Sequence, residues 1–168
     1  MKVKLLSIYV LIFSFISILT IDVSTVEELA KALGRVKAGQ IISIAPGVYD
    51  YSTYERMIRF ELYADGAKTS PIILTAQDPD NPPLLKGTGN TVLYVTGNYW
   101  VIDNIKLSST TRGLEINNAS YNIIRNVEIF KTGSEGVLIR GTSTYNLFQN
   151  CFIHNTGTYY SIFGDDLL

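Results

Sequence analysis

The sequence predicts an all-β chain, a right-handed parallel β-helix solenoid behind a short N-terminal capping helix. Three observations predict it. A pattern of apolar-x-apolar, turn, apolar-x-Asn-apolar-x-apolar recurs three times. The positions that it aligns inward are apolar or Cys in every copy. Only one stretch of the chain carries helical spacing.

The repeat carries most of the weight. Leu93-Tyr94-Val95 leads to Ile102-Asp103-Asn104-Ile105-Lys106-Leu107. Leu114-Glu115-Ile116 leads to Ile124-Arg125-Asn126-Val127-Glu128-Ile129, and Val137-Leu138-Ile139 to Phe148-Gln149-Asn150-Cys151-Phe152-Ile153. The Asn recurs at 104, 126 and 150, spacings of 22 and 24 that fall in the solenoid range. One such coil cannot bury its apolar residues alone, but a stack can. The predicted interior columns are Val95, Ile116, Ile139; Ile102, Ile124, Phe148; Ile105, Val127, Cys151; and Leu107, Ile129, Ile153. All eleven Asn residues lie between positions 81 and 155, which suggests a repeated slot. Asn104, Asn126 and Asn150 are expected to form a ladder at a bend. Asn tolerates the left-handed backbone a bend needs, and stacked amides can bond from coil to coil.

The front of the chain is less regular. Ser24-Thr25-Val26-Glu27 reads as a capping box with Ser24 as N-cap. Val26, Leu29, Ala30 and Leu33 follow at helical spacing, and Gly34 is a stop. A helix over about 25–33 would cap the first coil. Ile41-Ile42-Ser43-Ile44 and Pro71-Ile72-Ile73-Leu74-Thr75-Ala76 read as strands. Between them, Asp50 to Thr69 is polar and Tyr-rich and reads as a loop excursion. The expected organisation is a signal peptide at 1–20, a cap with helix at 21–40, and coils of about 23 residues over 41–168, their C-terminal end uncapped.

Lys2 and Lys4 precede the uncharged run Leu5–Ile21, the pattern of a secretory signal peptide. The alternative is an uncleaved N-terminal membrane anchor, for which the run is short. Secretion, with no stable membrane insertion after cleavage, is the expectation. Asn118-Ala119-Ser120 is then an N-glycosylation acceptor at Asn118. The 14 Lys and Arg against 15 Asp and Glu leave no basic excess, so nucleic acid is not an expected partner. Single Cys151 and His154 exclude a disulfide framework, a Cys-based zinc site and a two-His metal motif. No metal ligands are assigned.

The same alignment places side chains on the outside. Tyr94, Glu115 and Leu138 form one column, and Thr96, Asn117 and Arg140 the next. Elsewhere Lys106, Glu128 and Phe152 align, as do Ser108, Phe130 and His154, and Asp103, Arg125 and Gln149. Lys106–Glu128 and Asp103–Arg125 are expected cross-strand pairs worth about 0.2–1 kcal/mol each. Cys151 is expected inside and His154 in solvent. Tyr94, Tyr99, Trp100, Tyr121 and Tyr145 offer flat surfaces for sugar rings. Tyr99, Tyr121 and Tyr145, each just before the second strand of a coil, also read as a turn-packing stack.

Three segments carry a resemblance: Ile44-Ala45-Pro46-Gly47-Val48-Tyr49, Pro71-Ile72-Ile73-Leu74-Thr75-Ala76, and Tyr99-Trp100-Val101-Ile102-Asp103-Asn104-Ile105. They resemble the opening coils of secreted right-handed parallel β-helix proteins, a group that includes pectate lyases and chondroitinase- or alginate-lyase-like polysaccharide lyases. The resemblance covers roughly residues 22–157. It implies an acidic polysaccharide as partner and β-elimination of the pectate-lyase kind, with Ca²⁺ as a cofactor by resemblance only. Such a lyase must neutralise a uronate carboxylate and abstract the proton alpha to it. Arg140 is the first candidate base and Lys131 the second, with Glu115, Asn117 and Tyr94 as substrate-binding residues. The acidic cluster that holds calcium in such lyases is not visible on these columns, so no catalytic residue is carried over. The rival readings are a non-catalytic polysaccharide-binding or structural surface module and an inactive, truncated lyase homologue. The short length suggests a front piece, or an open end covered by self-association.

Overall fold

The computed structural model describes residues 19–54, 57–109 and 111–157. The signal-peptide expectation and the tail beyond residue 157 fall outside the described residues, apart from Leu19 and Thr20. Among the described residues the chain runs β1 (Thr20–Val23), α1 (Val26–Leu33), β2 (Ile41–Ile44), β3 (Val48–Asp50), a 3₁₀ turn (Tyr51–Thr53), β4 (Phe60–Leu62) and β5 (Ile72–Ala76). Then come β6 (Leu84–Gly87), β7 (Thr91–Val95), β8 (Trp100–Asp103), β9 (Lys106–Ser109) and β10 (Arg112–Asn117). The last are β11 (Ile123–Arg125), β12 (Glu128–Phe130), β13 (Val137–Arg140), β14 (Leu147–Gln149) and β15 (Phe152–His154).

Each coil visits three parallel sheets in turn. Sheet 1 has the order β1-β2-β5-β8-β11-β14, sheet 2 β3-β6-β9-β12-β15, and sheet 3 β4-β7-β10-β13. The fold is an all-β parallel β-helix with a helical cap, as expected. The register agrees with the repeat. Ile116 pairs with Val95 and Ile139, Ile124 with Ile102 and Phe148, and Ile129 with Leu107 and Ile153. Alternation along each strand sends these residues inward, where Val95, Ile102, Leu107, Ile116, Ile124 and Ile129 are all fully buried. Cys151 lies half-buried beside this core, as its column predicts.

The bends have the expected chemistry with a different bonding pattern. Asn104, Asn126 and Asn150 turn the chain from sheet 1 to sheet 2 with φ of 53°, 54° and 50°. Their amides do not all bond one another. Asn150 Nδ2 reaches Asn126 Oδ1 at 3.5 Å, whereas Asn126 donates to Asp103 at 2.8 Å and Asn104 to the Pro79 carbonyl at 2.9 Å. At the bend from sheet 3 to sheet 1, Tyr99, Tyr121 and Tyr145 take φ of 57°, 62° and 54°. Their rings stack at 4.9 and 5.0 Å, nearly parallel, which is the turn-packing stack.

Two local expectations are corrected. The helix cap is Thr25, not Ser24. The Thr25 side chain accepts from Glu28 N–H at 3.1 Å, and Glu28 Oε2 accepts from the Ser24 N–H at 2.8 Å. Thr25 thus caps the helix one residue later than expected, with Glu28 reaching back past it to Ser24, and Leu29, Ala32 and Leu33 face the core. The Tyr-rich excursion hides β4, which pairs with β7 and buries Phe60 and Leu62. Its three residues are too few for alternation to mark them.

Candidate functional site

The outward face of sheet 3 gathers the polar residues singled out above. Glu61, Tyr94, Glu115 and Leu138 stand side by side on β4, β7, β10 and β13, and Asn117 stands beside Arg140. Gly113 sets the entry of β10 into this sheet. A Cβ there would lie 2.3 Å from the Ile129 side chain, so only glycine lets strand and core approach so closely.

Glu115 departs from its expected exposure. It points to the outer column yet is only 3% exposed. A buried carboxylate needs partners: its Oε2 accepts a hydrogen bond, whereas Oε1 has the charge of Arg140 beside it but no hydrogen bond. Arg140 Nη2 lies 2.7 Å from Oε1, Thr91 Oγ1 donates to Oε2 at 3.0 Å, and Arg112 Nη1 is 3.9 Å from Oε2. Arg112 also donates from Nε to Glu135 at 2.8 Å, and hydrogen bonds from Ser134 and from that arginine hold the Glu135 carboxyl below the ordinary range. Tyr94 is half-buried, and its hydroxyl accepts from Asn117 Nδ2 at 2.7 Å. The Arg59 guanidinium covers its ring at 3.9 Å while donating to Glu61 at 2.7 Å.

The structure therefore brings Arg140, Glu115, Asn117 and Tyr94 together. Lys131 stands apart, exposed at the turn after β12 with φ 51°. Arg140 is held against a carboxylate while its side chain remains 56% exposed. A guanidinium stays protonated in proteins, and this pairing suits a fixed cation rather than a proton acceptor. Asn118 is exposed, with its Oδ1 accepting from Thr142 N–H at 3.0 Å.

Other expected site residues have structural roles. Trp100 is fully buried and donates from Nε1 to the Ala64 carbonyl at 2.7 Å, so it offers no sugar platform. Tyr99, Tyr121 and Tyr145 turn their faces to one another. His154 is not free in solvent. It bonds Glu128 at 3.1 Å and stacks on Phe130 and Phe152. Lys106–Glu128 and Asp103–Arg125 are the cross-strand pairs expected, at 3.1 and 2.8 Å.

Sequence reasoning missed Arg59, Glu61, Thr91 and Arg112. The first two lie in the excursion, where no period marks them. The other two were legible two positions before the aligned apolar residues Leu93 and Leu114. It also missed Asn122 and Asn146, which follow the stacked tyrosines 24 residues apart. Asn122 Oδ1 accepts from Trp100 N–H at 2.8 Å, and Asn146 Oδ1 from Asn122 N–H at 3.0 Å. The repeated Tyr-Asn dipeptide was the available signal.

The Ca²⁺ implied by resemblance does not fit the described residues. No group of three or more His, Cys, Asp or Glu side chains gathers among them to hold a metal. The buried Glu115 faces two arginines, which oppose a dication. No helix among the described residues is long and apolar enough to cross a membrane.

Comparison with known proteins gives a consistent family. Residues 20–161 match the family model described as "Pel9A-like, right handed beta helix region". An alginate lyase from Paenibacillus sp. str. FPU-7 superposes with a TM-score of 0.71 at 31% identity, covering 79% of this chain and 43% of the lyase. A mannuronic acid specific family 6 lyase from human gut microbiota gives 0.65 at 16% identity, covering 81% and 34%. The pectate lyase Pel9A gives 0.51 at 20% identity, covering 73% and 41%. The chain thus spans less than half the length of these lyases. Comparison with curated proteins finds no match.

Proposed function

We propose that this chain, which belongs to the Pel9A-like right-handed β-helix family, binds an acidic polysaccharide across the outer face of sheet 3 and takes part in its β-elimination. The observation that carries the reading is Arg140, an exposed cation fixed by the buried Glu115. Held so, the guanidinium meets a uronate carboxylate with its remaining donors. Pairing that carboxylate with a cation makes the neighbouring C–H more acidic, which is the first requirement of β-elimination. Asn117 and the Tyr94 hydroxyl stand beside it as partners for sugar hydroxyls.

The test is absorbance of the unsaturated uronate product on pectate and on alginate, with and without Ca²⁺, alongside binding of the same polymers. Binding that Arg140→Ala weakens supports the reading. Equal binding of neutral glucan refutes it.

A second reading, a non-catalytic binding module, is favoured by one observation. Arg59, Arg112 and Arg140 are each matched by a glutamate, Glu61, Glu135 and Glu115, so the face carries no net charge. Binding without product would select it. Calcium dependence of turnover would place the metal ligands outside the described residues. We further propose secretion, with an uncleaved membrane anchor as the alternative, a glycan on Asn118, and Asn104, Asn126 and Asn150 acting as one structural column. Self-association is proposed through the apolar residues exposed on the last described coil, Ile139, Phe152 and Ile153.

A further inference from the structure

A second concave site adjoins the outer face of sheet 3. It is a cleft of about 400 Å³ between α1 and β4. Ala30 and Leu33 of α1 line it together with Tyr54, Met57, Arg59 and Glu61. Mostly apolar walls with a few converging polar groups are the usual make-up of a small-ligand site.

Three features tie the cleft to the candidate site. Arg59 belongs to both, since it lines the cleft and covers the Tyr94 ring. Glu61 begins the column that continues through Tyr94 to Glu115. β4 is also the last strand of sheet 3 on this side, and α1 packs beyond it, with Tyr63 OH donating to the Gly34 carbonyl at 2.7 Å. A polymer lying across the strands, from β13 toward β4, therefore meets the helix and goes no further along the sheet.

We infer that this cleft is an end subsite, which takes the terminal sugar of an acidic oligosaccharide whose neighbouring units lie over Tyr94, Asn117 and Arg140. The inference rests on the polysaccharide reading above. The charges suit such a unit. Arg59 uses its Nε for Glu61, one of the five donors of the guanidinium, and presents the same cation to a uronate carboxylate. Glu61 accepts from ring hydroxyls, and the Tyr54 ring and the Met57 side chain supply apolar surface for the C–H face of the ring. Arg59 reaches over Tyr94 on β7 and Arg140 over Glu115 on β10, so a short oligomer meets both cations, and further units are needed to enter the cleft beyond β4.

The experiment is calorimetric titration of the full chain with a di-uronide and a tetra-uronide. Ala30→Trp fills the cleft from the helix side, away from Tyr94, Asn117 and Arg140, and Arg59→Ala removes its cation. Circular dichroism confirms that each variant folds. The expected result is that Ala30→Trp binds the tetra-uronide about tenfold more weakly and the di-uronide within about twofold of the parent, whereas Arg59→Ala weakens binding of both. If Ala30→Trp binds the tetra-uronide as the parent does, the cleft is not a subsite, even where Arg59→Ala weakens binding through Tyr94. If in addition Arg140→Ala abolishes that binding, the polysaccharide reading stands without the cleft. A parent chain that binds neither uronide overturns both.

Discussion

The coil at residues 112–130 and the coil at 137–154 use the same residue types in the same columns, yet their burial differs sharply. Ile116 and Ile129 are fully buried, whereas Ile139 and Ile153, their partners one coil later, are 46% and 44% exposed. The difference does not lie in either coil. A solenoid residue is buried by the coils above and below it, so an interior position is worth what its neighbours make it worth. The earlier coil has a described neighbour on both sides and the later one on one side.

The largest break in this comparison is a charge in the core. Ile116→Asp should destabilise the domain by about 4 kcal/mol or more, because an unpaired carboxylate between Val95 and Ile139 has no partner. Ile139→Asp should cost less in the monomer, where its side chain is 46% exposed. Thermal melting of the two variants checks this, and similar melting temperatures would show that burial does not separate the coils.

A milder version sharpens the same contrast. Ile129→Ala should cost about 2–5 kcal/mol, and Ile153→Ala about half that or less, in proportion to the apolar area each hides. Urea denaturation with a common slope reads the difference directly.

Acid separates the two coils differently, through Glu128 and His154. Partial burial pushes the Glu128 carboxyl up, but hydrogen bonds from His154 and Lys106 outweigh it and hold the group below the ordinary 4.5. A depressed native carboxyl lends stability above its unfolded pKa, and that stability drains away as pH falls through the folded value. Melting temperature should therefore fall with acid from about pH 5 downward, and Glu128→Gln should flatten that limb. An unchanged acid limb in the variant would remove Glu128 from the account.

The smallest effect lies on the surface. A double-mutant cycle on Asp103 and Arg125 should return about 0.2–1 kcal/mol, since both side chains reach solvent. A coupling well above that would mean the bend at Asn126, which donates to the same carboxylate, depends on the pair.

These contrasts also explain what was legible in the sequence. Residues 93–154 could be read because each coil sits in nearly the same environment, so the same apolar pattern recurs at 22 to 24 residues. β4 could not, because it lies in a long excursion that no other coil repeats. The cap slipped by one residue because Ser24 and Thr25 are both good N-caps, and only the packing of Leu29, Ala32 and Leu33 decides between them. At the site, the neighbours of Arg140 followed from register. The burial of Glu115 did not, since the alternation places it outward and only Arg112, Arg140 and Thr91 close over it. His154 was misplaced in solvent for the same reason, as its partners stand on neighbouring coils.

Binding of an acidic saccharide to the outer face of sheet 3 is the proposal on which the site stands or falls. Titration of isotope-labelled chain with a tetra-uronide, followed by amide and side-chain chemical shifts, tests it residue by residue. The account predicts that the largest shifts fall on Tyr94, Asn117 and Arg140. Shifts concentrated instead on Tyr99, Tyr121 and Tyr145, at the bend between sheets 3 and 1, would contradict it.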